Sequence, residues 1–138
     1  MGNTFLHCSV TIHAPLEKVW EYFTTPEHIT KWNFAIDTWC CPAAVNDLKV
    51  GGRFNYRMEA RDGSFGFDFW GDYTEIALYD TIAYKLGDDR LCTLKFISHH
   101  GQTFVTEDFE PEATNPHEMQ QGGWQSILNQ FKSYVESH

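Results

Sequence analysis

The sequence predicts an α+β fold in which a curved antiparallel sheet wraps around a long C-terminal helix. Two short helices follow the first strand, several strands then run consecutively between residues 53 and 110, and one amphipathic helix ends the chain. Strands that are separated from helices in this way indicate an antiparallel sheet, because parallel strands need a crossover between them. The last helix is the only predicted element long enough to cover the apolar face of such a sheet.

The length and charge of the chain narrow its functional class. We expect residues 1–138 to form one domain that folds without disulfides or metals. The formal net charge of −9 disfavours nucleic acids and anionic membranes as partners, since an acidic surface repels phosphate groups. No apolar run reaches the roughly 20 residues of a membrane span and no signal peptide is recognisable, so we expect a cytoplasmic location.

The N-terminal third alternates between strand and helix patterns. Residues 4–13 alternate between apolar and polar side chains and are predicted to form a strand. Pro15 and Pro26 each begin a short helix, because proline lacks the N–H group that the first helical turn leaves unpaired. Residues 33–50 are less regular, and we predict a loop with one short strand at residues 43–46.

The middle of the chain shows repeated strand and turn patterns. Residues 53–61 and 64–78 are predicted to form a hairpin around Asp62-Gly63, and residues 91–98 and 102–110 a second hairpin around Gly101. A strand at residues 81–86 lies between them. Trp70 and Gly71 disturb the alternation and predict a bulge or a sharp bend.

The final helix begins at Pro116, and its apolar stripe consists of Trp124, Ile127, Leu128, Phe131 and Val135. Gly122 and Gly123 lie in its body, where each glycine costs about 1 kcal/mol relative to alanine. This cost predicts either the close approach of another backbone or a frayed first turn.

The 22 aromatic residues are enough either to fill a core or to line a cavity for a flat apolar ligand. For a binding protein the candidate cavity lining is Trp32, Trp39, Phe54, Tyr56, Met58, Phe67, Phe69, Tyr84, Phe96, Glu107, Trp124 and Phe131. Tyr56 and Tyr84 would supply polar points, since a buried tyrosine hydroxyl needs a partner. The alternative is that these side chains pack against one another and leave no void.

Glu107 is the candidate for a catalytic residue. It shares the parity of Val105 and Phe109, so if that face is the inner one, a carboxyl group lies in an apolar cavity with a raised pKa. Such a group can serve as a general acid or base, or can bind a ligand hydroxyl. Asp68 has the opposite parity to its neighbouring phenylalanines and is expected to face solvent.

Metal and redox sites are not expected. The cysteines, Cys8, Cys40, Cys41 and Cys92, match no zinc spacing and are expected to be thiols. His99 and His100 are neighbours at a turn, and adjacent strand residues point to opposite faces, so we expect surface histidines there. No cofactor motif is present, and neither a metal nor a cofactor is predicted.

A series of motifs spans nearly the whole chain in a familiar order: Ala14-Pro15-x-x-x-Val19-Trp20, Trp32, Gly51-Gly52-x-Phe54, Asp62-Gly63, Gly71-x-Tyr73-x-Glu75-Ile76 and Gly123-Trp124. In this series the sequence resembles the START/Bet v 1-like (SRPBCC) superfamily. Within it, the sequence is similar to the branch homologous to the C-terminal domain of the activator of the 90-kDa heat-shock-protein ATPase. The resemblance implies a helix-grip fold with a cavity between sheet and helix.

The resemblance leaves three functions open. Members of the superfamily carry lipids, sterols, plant hormones and polyketides, which favours a binding protein for a hydrophobic or aromatic small molecule. A few members are cyclases or hydrolases, and a cavity carboxylate would then be catalytic. A protein-interaction role would use an exposed apolar patch, which Phe34, Ile36 and Trp39 in residues 33–50 could supply. The same segment could equally be a lid of the cavity or the contact of a homodimer. The eukaryotic activator has an additional chaperone-binding domain that residues 1–138 do not contain, so we do not expect chaperone stimulation.

Overall fold

The computed structural model describes residues 4–138. The start of the chain, on which the expectation of no signal peptide depends, lies partly outside them. The elements are β1 (Leu6–Ile12), α1 (Leu16–Thr24), α2 (Pro26–Trp32), β2 (Trp39–Asn46), β3 (Arg53–Ala60), β4 (Gly66–Ala77), β5 (Thr81–Leu86), β6 (Leu91–His99), β7 (Gln102–Phe109) and α3 (His117–Ser137). None of the described helices is both long enough and apolar enough to cross a membrane.

All strands form one antiparallel sheet with the order β1-β7-β6-β5-β4-β3-β2. The sheet curls into a half-barrel, and α3 packs against it most extensively at β1. The predicted α+β helix-grip fold is therefore confirmed, including the two short helices after the first strand.

The alternation of β3 and β4 is as predicted. Tyr56 pairs with Phe69 and Met58 pairs with Phe67 on the inner face of the sheet. On the outer face, the Arg57 guanidinium lies 2.9 Å from Glu59 and 3.7 Å from the Asp68 carboxylate. This confirms that the charged residues of these strands face away from α3.

Strand β2 is longer than predicted. It begins at Trp39 rather than at residue 43, and it pairs with β3 through a register shift between Cys40 and Ala43. Pro42 lies in this shift, and β2 is an edge strand of the sheet. Proline is tolerated at an edge or a bulge because no ladder hydrogen bond is lost there, so β2 continues through Pro42.

The irregularity of β4 also differs from the prediction. The register shift lies between Tyr73 and Glu75, not at Trp70-Gly71. Gly71 instead allows the Lys85 backbone and the Phe54 ring to pack closely against β4. A Cβ atom there would lie 2.9 Å from the Lys85 carbonyl oxygen and 3.0 Å from the Phe54 ring.

The prediction of a close backbone contact at Gly122 and Gly123 is wrong. Both residues lie within α3, and a Cβ atom added at either would meet nothing within 4 Å. Gly122 is exposed, so the helix carries its glycines without a packing reason.

Polar side chains of α3 pair with the free backbone edge of β1. Gln125 both donates to and accepts from the Ser9 backbone, at 2.9 and 3.3 Å. Every second residue of this edge has such a contact. Gln121 donates to the His7 carbonyl (3.1 Å), Lys132 donates to the Thr11 carbonyl (2.6 Å), and Glu136 accepts from the His13 N–H (2.8 Å). We call these contacts the β1–α3 ladder. It satisfies the β1 groups that have no neighbouring strand.

The C-terminal half of α3 packs tightly. Phe131 and Val135 are fully buried, and Phe131 lies against Phe23 and Trp32 with ring centroids 5.2 and 4.7 Å apart. This end of the helix closes the core between α1, α2 and the sheet.

Substitution by alanine should have opposite effects on stability at the closely packed Gly71 and at the open Gly122. Gly71→Ala should lower the free energy of unfolding by about 1–3 kcal/mol, because the methyl group collides with the buried Phe54 ring. Gly122→Ala should raise it by about 0.5–1 kcal/mol, because alanine loses less backbone entropy in an open helical position. Urea unfolding measures both changes, and a stabilised Gly71→Ala variant would contradict the packing described here.

Candidate functional site

A cavity of about 210 Å³ lies between the sheet and the middle of α3, at Trp124, Ile127 and Leu128. Its walls come from β3, β4, β5 and β7, from the ends of α1 and α2, and from α3. The lining residues are Phe23, Trp32, Asn33, Phe54, Tyr56, Met58, Phe67, Phe69, Tyr73, Ile82, Tyr84, Glu107, Trp124, Ile127 and Leu128. Most of these side chains are aromatic or aliphatic.

The structure brings most of the sequence-selected residues together. Those that line the cavity are Trp32, Phe54, Tyr56, Met58, Phe67, Phe69, Tyr84, Glu107 and Trp124. The other three lie elsewhere. Trp39 packs against Phe65 and Phe67 outside the cavity, Phe96 packs against Trp20 and Phe23, and Phe131 belongs to the tightly packed core.

Several lining residues escaped the sequence reasoning. Ile127 and Leu128 belonged to the predicted helix stripe and Tyr73 shares the inward parity of Phe69, so a signal for them was present. Phe23 was predicted only as a residue of the first helix, and Ile82 only as a residue of the strand at residues 81–86. Asn33 carried no signal, because nothing in a polar residue after a helix indicates that it will be buried.

Trp124 closes the cavity from the helix side. Its indole stacks on Phe109 of β7, with centroids 3.9 Å apart and an interplanar angle of 6°. It also meets the edge of Phe69 on β4 at 6.1 Å. One side chain therefore bridges strands that are three positions apart in the sheet.

The cavity reaches solvent beside the β3–β4 hairpin. Phe67 lines the cavity yet is 44% exposed, and its neighbour Phe65 is 54% exposed. Ile36, three residues before Trp39, is also exposed, whereas Phe34 is buried. Of the predicted patch at Phe34, Ile36 and Trp39, Ile36 is thus exposed and Trp39 is partly exposed, while Phe65 and Phe67 of the β3–β4 hairpin contribute more apolar surface.

Glu107 points inward from β7, as the parity hypothesis required. It is paired with Cys8 on β1 and Leu94 on β6, is only 8% exposed, and lines the cavity. No hydrogen bond to its carboxyl group is formed within residues 4–138. Burial raises the pKa of this carboxyl from 4.5 to about 8, with a smaller contribution from the neighbouring Asp108.

A second polar group, Asn33, lies where α2 ends. It is 8% exposed, and its amide donates only to sulfur, to Met58 at 3.4 Å and to Cys41 at 4.0 Å. By contrast, the nearby Tyr73 hydroxyl is satisfied, since it donates to Asn46 Oδ1 at 2.5 Å. Asn46 is itself anchored to the Thr24 carbonyl at 2.7 Å.

The thiols and histidines form no second centre within the described residues. Cys8, Cys41 and Cys92 are buried, and burial, with a further contribution from Glu107, raises the pKa of the Cys8 thiol to about 12. Thiols of this kind are poor nucleophiles. His99 and His100 are exposed at the β6–β7 turn, and residues 4–138 contain no cluster of three potential metal ligands.

A half-barrel sheet that holds a C-terminal helix over an apolar cavity defines the helix-grip class of proteins. The family model described as "Activator of Hsp90 ATPase homolog 1-like protein" matches residues 13–136. The chain therefore belongs to the AHSA1-like family, as its motifs had indicated.

Solved structures agree with this assignment. The chain is similar to an AHSA1-like protein from Aeromonas hydrophila, with 38% identity and a TM-score of 0.88 over 96% of this chain and 93% of that one. It is 48% identical to a protein from Cytophaga hutchinsonii, with a TM-score of 0.83 over 96% and 92% of the two chains. A protein from Chromobacterium violaceum, at 24% identity, shares the fold with a TM-score of 0.83 over 96% and 98%. No curated protein matches the chain.

Glu107 predicts an unusual dependence of stability on pH. The folded chain holds this proton up to pH about 8, whereas the unfolded chain releases it near 4.5, so the free energy of unfolding falls as pH rises between these values. Relative to Glu107→Gln, the wild type should lose about 3 kcal/mol between pH about 5 and about 8. Chemical unfolding of both proteins across this range measures the difference.

The matched control is Glu75→Gln, which makes the same change at an exposed position on β4. Its pH profile should follow that of the wild type. Parallel profiles for the wild type and Glu107→Gln would show that the carboxyl is ionised in the folded chain.

Proposed function

We propose that this protein binds a small hydrophobic or aromatic molecule in the cavity between the sheet and α3. The observation that carries the proposal is the contrast within α3. Its C-terminal half buries Phe131 and Val135 completely, while its middle, at Trp124, Ile127 and Leu128, stands over a cavity lined mostly by aromatic and aliphatic side chains. Protein interiors are otherwise close-packed, and an unfilled apolar cavity forfeits dispersion contacts.

The lining matches the general character of ligand sites, which are mostly apolar and contain a few polar groups that orient the ligand. The volume of about 210 Å³ is below the roughly 300–1,000 Å³ common for drug-sized ligands. A compact ligand with one or two rings therefore suits the site better than a sterol or a long lipid chain.

Two other functions receive less support. Acid–base catalysis requires groups that act together on the substrate, and Glu107 is the only carboxyl group among the lining residues named above, which include no histidine. A protein-interaction role would use the exposed Phe65, Phe67 and Ile36. Phe67 is one of these exposed residues and also lines the cavity. We therefore interpret the exposed surface of Phe65, Phe67 and Ile36 as the rim of the ligand entrance.

A thermal-shift screen of the purified protein tests the proposal, with a panel of lipids, flavonoids, polyketides and aromatic metabolites. A ligand at about 100 times its dissociation constant should stabilise the fold by about 2.7 kcal/mol. For a chain of this length the melting temperature should rise by several degrees. The absence of any shift across the panel would contradict the proposal.

Phe65 and Phe67 supply a matched pair of variants for any hit. Both are exposed phenylalanines on one face of the same hairpin, but only Phe67 lines the cavity. Phe67→Ala should weaken binding by about five-fold, the equivalent of roughly 1 kcal/mol of lost apolar contact. Phe65→Ala should leave the affinity unchanged, and equal losses in both variants would indicate binding on the outer rim instead.

A further inference from the structure

We propose that the ligand is an uncharged molecule with an apolar centre and a hydrogen-bond acceptor towards each end, one bound by the protonated carboxyl of Glu107 and the other by the carboxamide of Asn33. This inference rests on the proposed function and specifies its ligand class. It depends on two buried polar side chains of the cavity that lack adequate partners.

The first is Glu107. More than nine-tenths of this residue is buried, it lines the cavity, and it has no hydrogen-bond partner within residues 4–138. Polar side chains inside folded proteins nearly always have a partner. Within residues 4–138 the fully buried side-chain atom without a partner is Asn55 Oδ1, so the Glu107 oxygens are not sealed in the core but open onto the cavity. A ligand in the cavity would supply the missing partner.

The charge around Glu107 decides which partner fits. The titratable groups facing it are the Cys8 thiol on β1, the Cys92 thiol on β6 and the Tyr84 hydroxyl on β5, with Asp108 next in sequence. All are acids. The residues that α3 adds to the cavity, Trp124, Ile127 and Leu128, carry no charge.

No lining residue can compensate a carboxylate, and an isolated buried charge is far more costly than a neutral polar group. Glu107 is therefore protonated at neutral pH, in agreement with its pKa of about 8. A protonated carboxyl has one O–H donor. Its natural partner is a carbonyl or ether oxygen of the ligand.

The second group is Asn33. Its amide nitrogen reaches only the sulfur atoms of Met58 and Cys41, and its amide oxygen forms no hydrogen bond within the described residues. Thioether and thiol sulfur are weak acceptors. An oxygen atom of a ligand would be a better partner for this amide than either sulfur.

The two groups belong to different parts of the cavity. Asn33 lies against Met58 of β3, Glu107 is on β7, and β4, β5 and β6 lie between these strands. β7 and β3 are four positions apart in the sheet, and neighbouring strands are about 4.8 Å apart, so about 19 Å separate the two strands along the curved sheet. The distance between them across the concave face is shorter. Aromatic residues such as Phe54, Tyr84 and Trp124 line the space around them, which is why we infer an apolar centre.

A series of biphenyl compounds tests the inference by titration calorimetry: biphenyl, its monoacetyl and para,para-diacetyl derivatives, and aminomethyl-biphenyl. Biphenyl itself reports on the proposed function alone. Each acetyl carbonyl should tighten binding by about five-fold, the value expected for one hydrogen bond to a neutral group. Aminomethyl-biphenyl should gain nothing.

Variants assign each gain to its residue. Glu107→Gln keeps an N–H donor and should retain the full gain of the diacetyl compound over biphenyl. Glu107→Leu and Asn33→Leu should each lose the gain of one carbonyl, so that the diacetyl compound binds no more tightly than the monoacetyl compound. Melting temperatures of the free variants verify that each one is folded.

The pH dependence supplies a separate readout. In the wild type the gain of the diacetyl compound over the monoacetyl compound should disappear as pH rises through about 8, since the ionised carboxyl has no proton to donate. In Glu107→Gln the gain should not change with pH. A merely structural role for Glu107 would not produce this difference.

The outcomes separate the two proposals. Binding of biphenyl without any gain from carbonyls overturns this inference and leaves the proposed function intact. Tighter binding of aminomethyl-biphenyl that is lost in Glu107→Gln also overturns it, because the site would then bind a cation with an ionised carboxylate. Failure of every compound to bind overturns both.

Discussion

The β1–α3 ladder is the interaction on which the cavity depends. It fixes the long helix along one flank of the sheet by bonds between side chains and backbone, and these bonds require no apolar packing beneath the first turns of the helix. Phe131 and Val135 then hold the other end of α3 in the core. A helix held by its flank and by its C-terminal end can stand away from the sheet elsewhere, so an open space is compatible with a stable fold.

Within that space the arrangement of polar groups is uneven. Tyr73 and Asn46 satisfy each other and are tied back to α1, so they stiffen one wall. Glu107 and Asn33 have no such support. Networks in which every member is satisfied add rigidity, whereas unsatisfied members are destabilising in a low-dielectric interior. The protein thus carries a destabilising feature at the cavity that the well-packed remainder of the core must offset, as is common at functional sites.

Much of this organisation could be predicted from the sequence, and the reasons are local. Parity on β3 and β4 identified Phe54, Tyr56 and Phe69 as inward-facing, and it identified Glu107 once the inner face of β7 was known. Asn33 could not be predicted, since its burial results from the packing of α2 against β2, which no periodicity encodes. Phe131 and Trp124 lie on one stripe of α3, yet only the three-dimensional path of the helix separates the filled part of the core from the cavity.

The same ladder has a consequence for the behaviour of the chain in solution. A curled sheet that does not close has two free edges, and exposed edges are templates for pairing with another chain and for aggregation. Here the β1 edge is occupied by glutamine, lysine and glutamate side chains of α3, and the β2 edge carries Pro42 within a register shift. Both edges are therefore poor partners for strand addition. An open half-barrel can thus keep an accessible interior while both edges of its sheet are protected from the addition of a further strand.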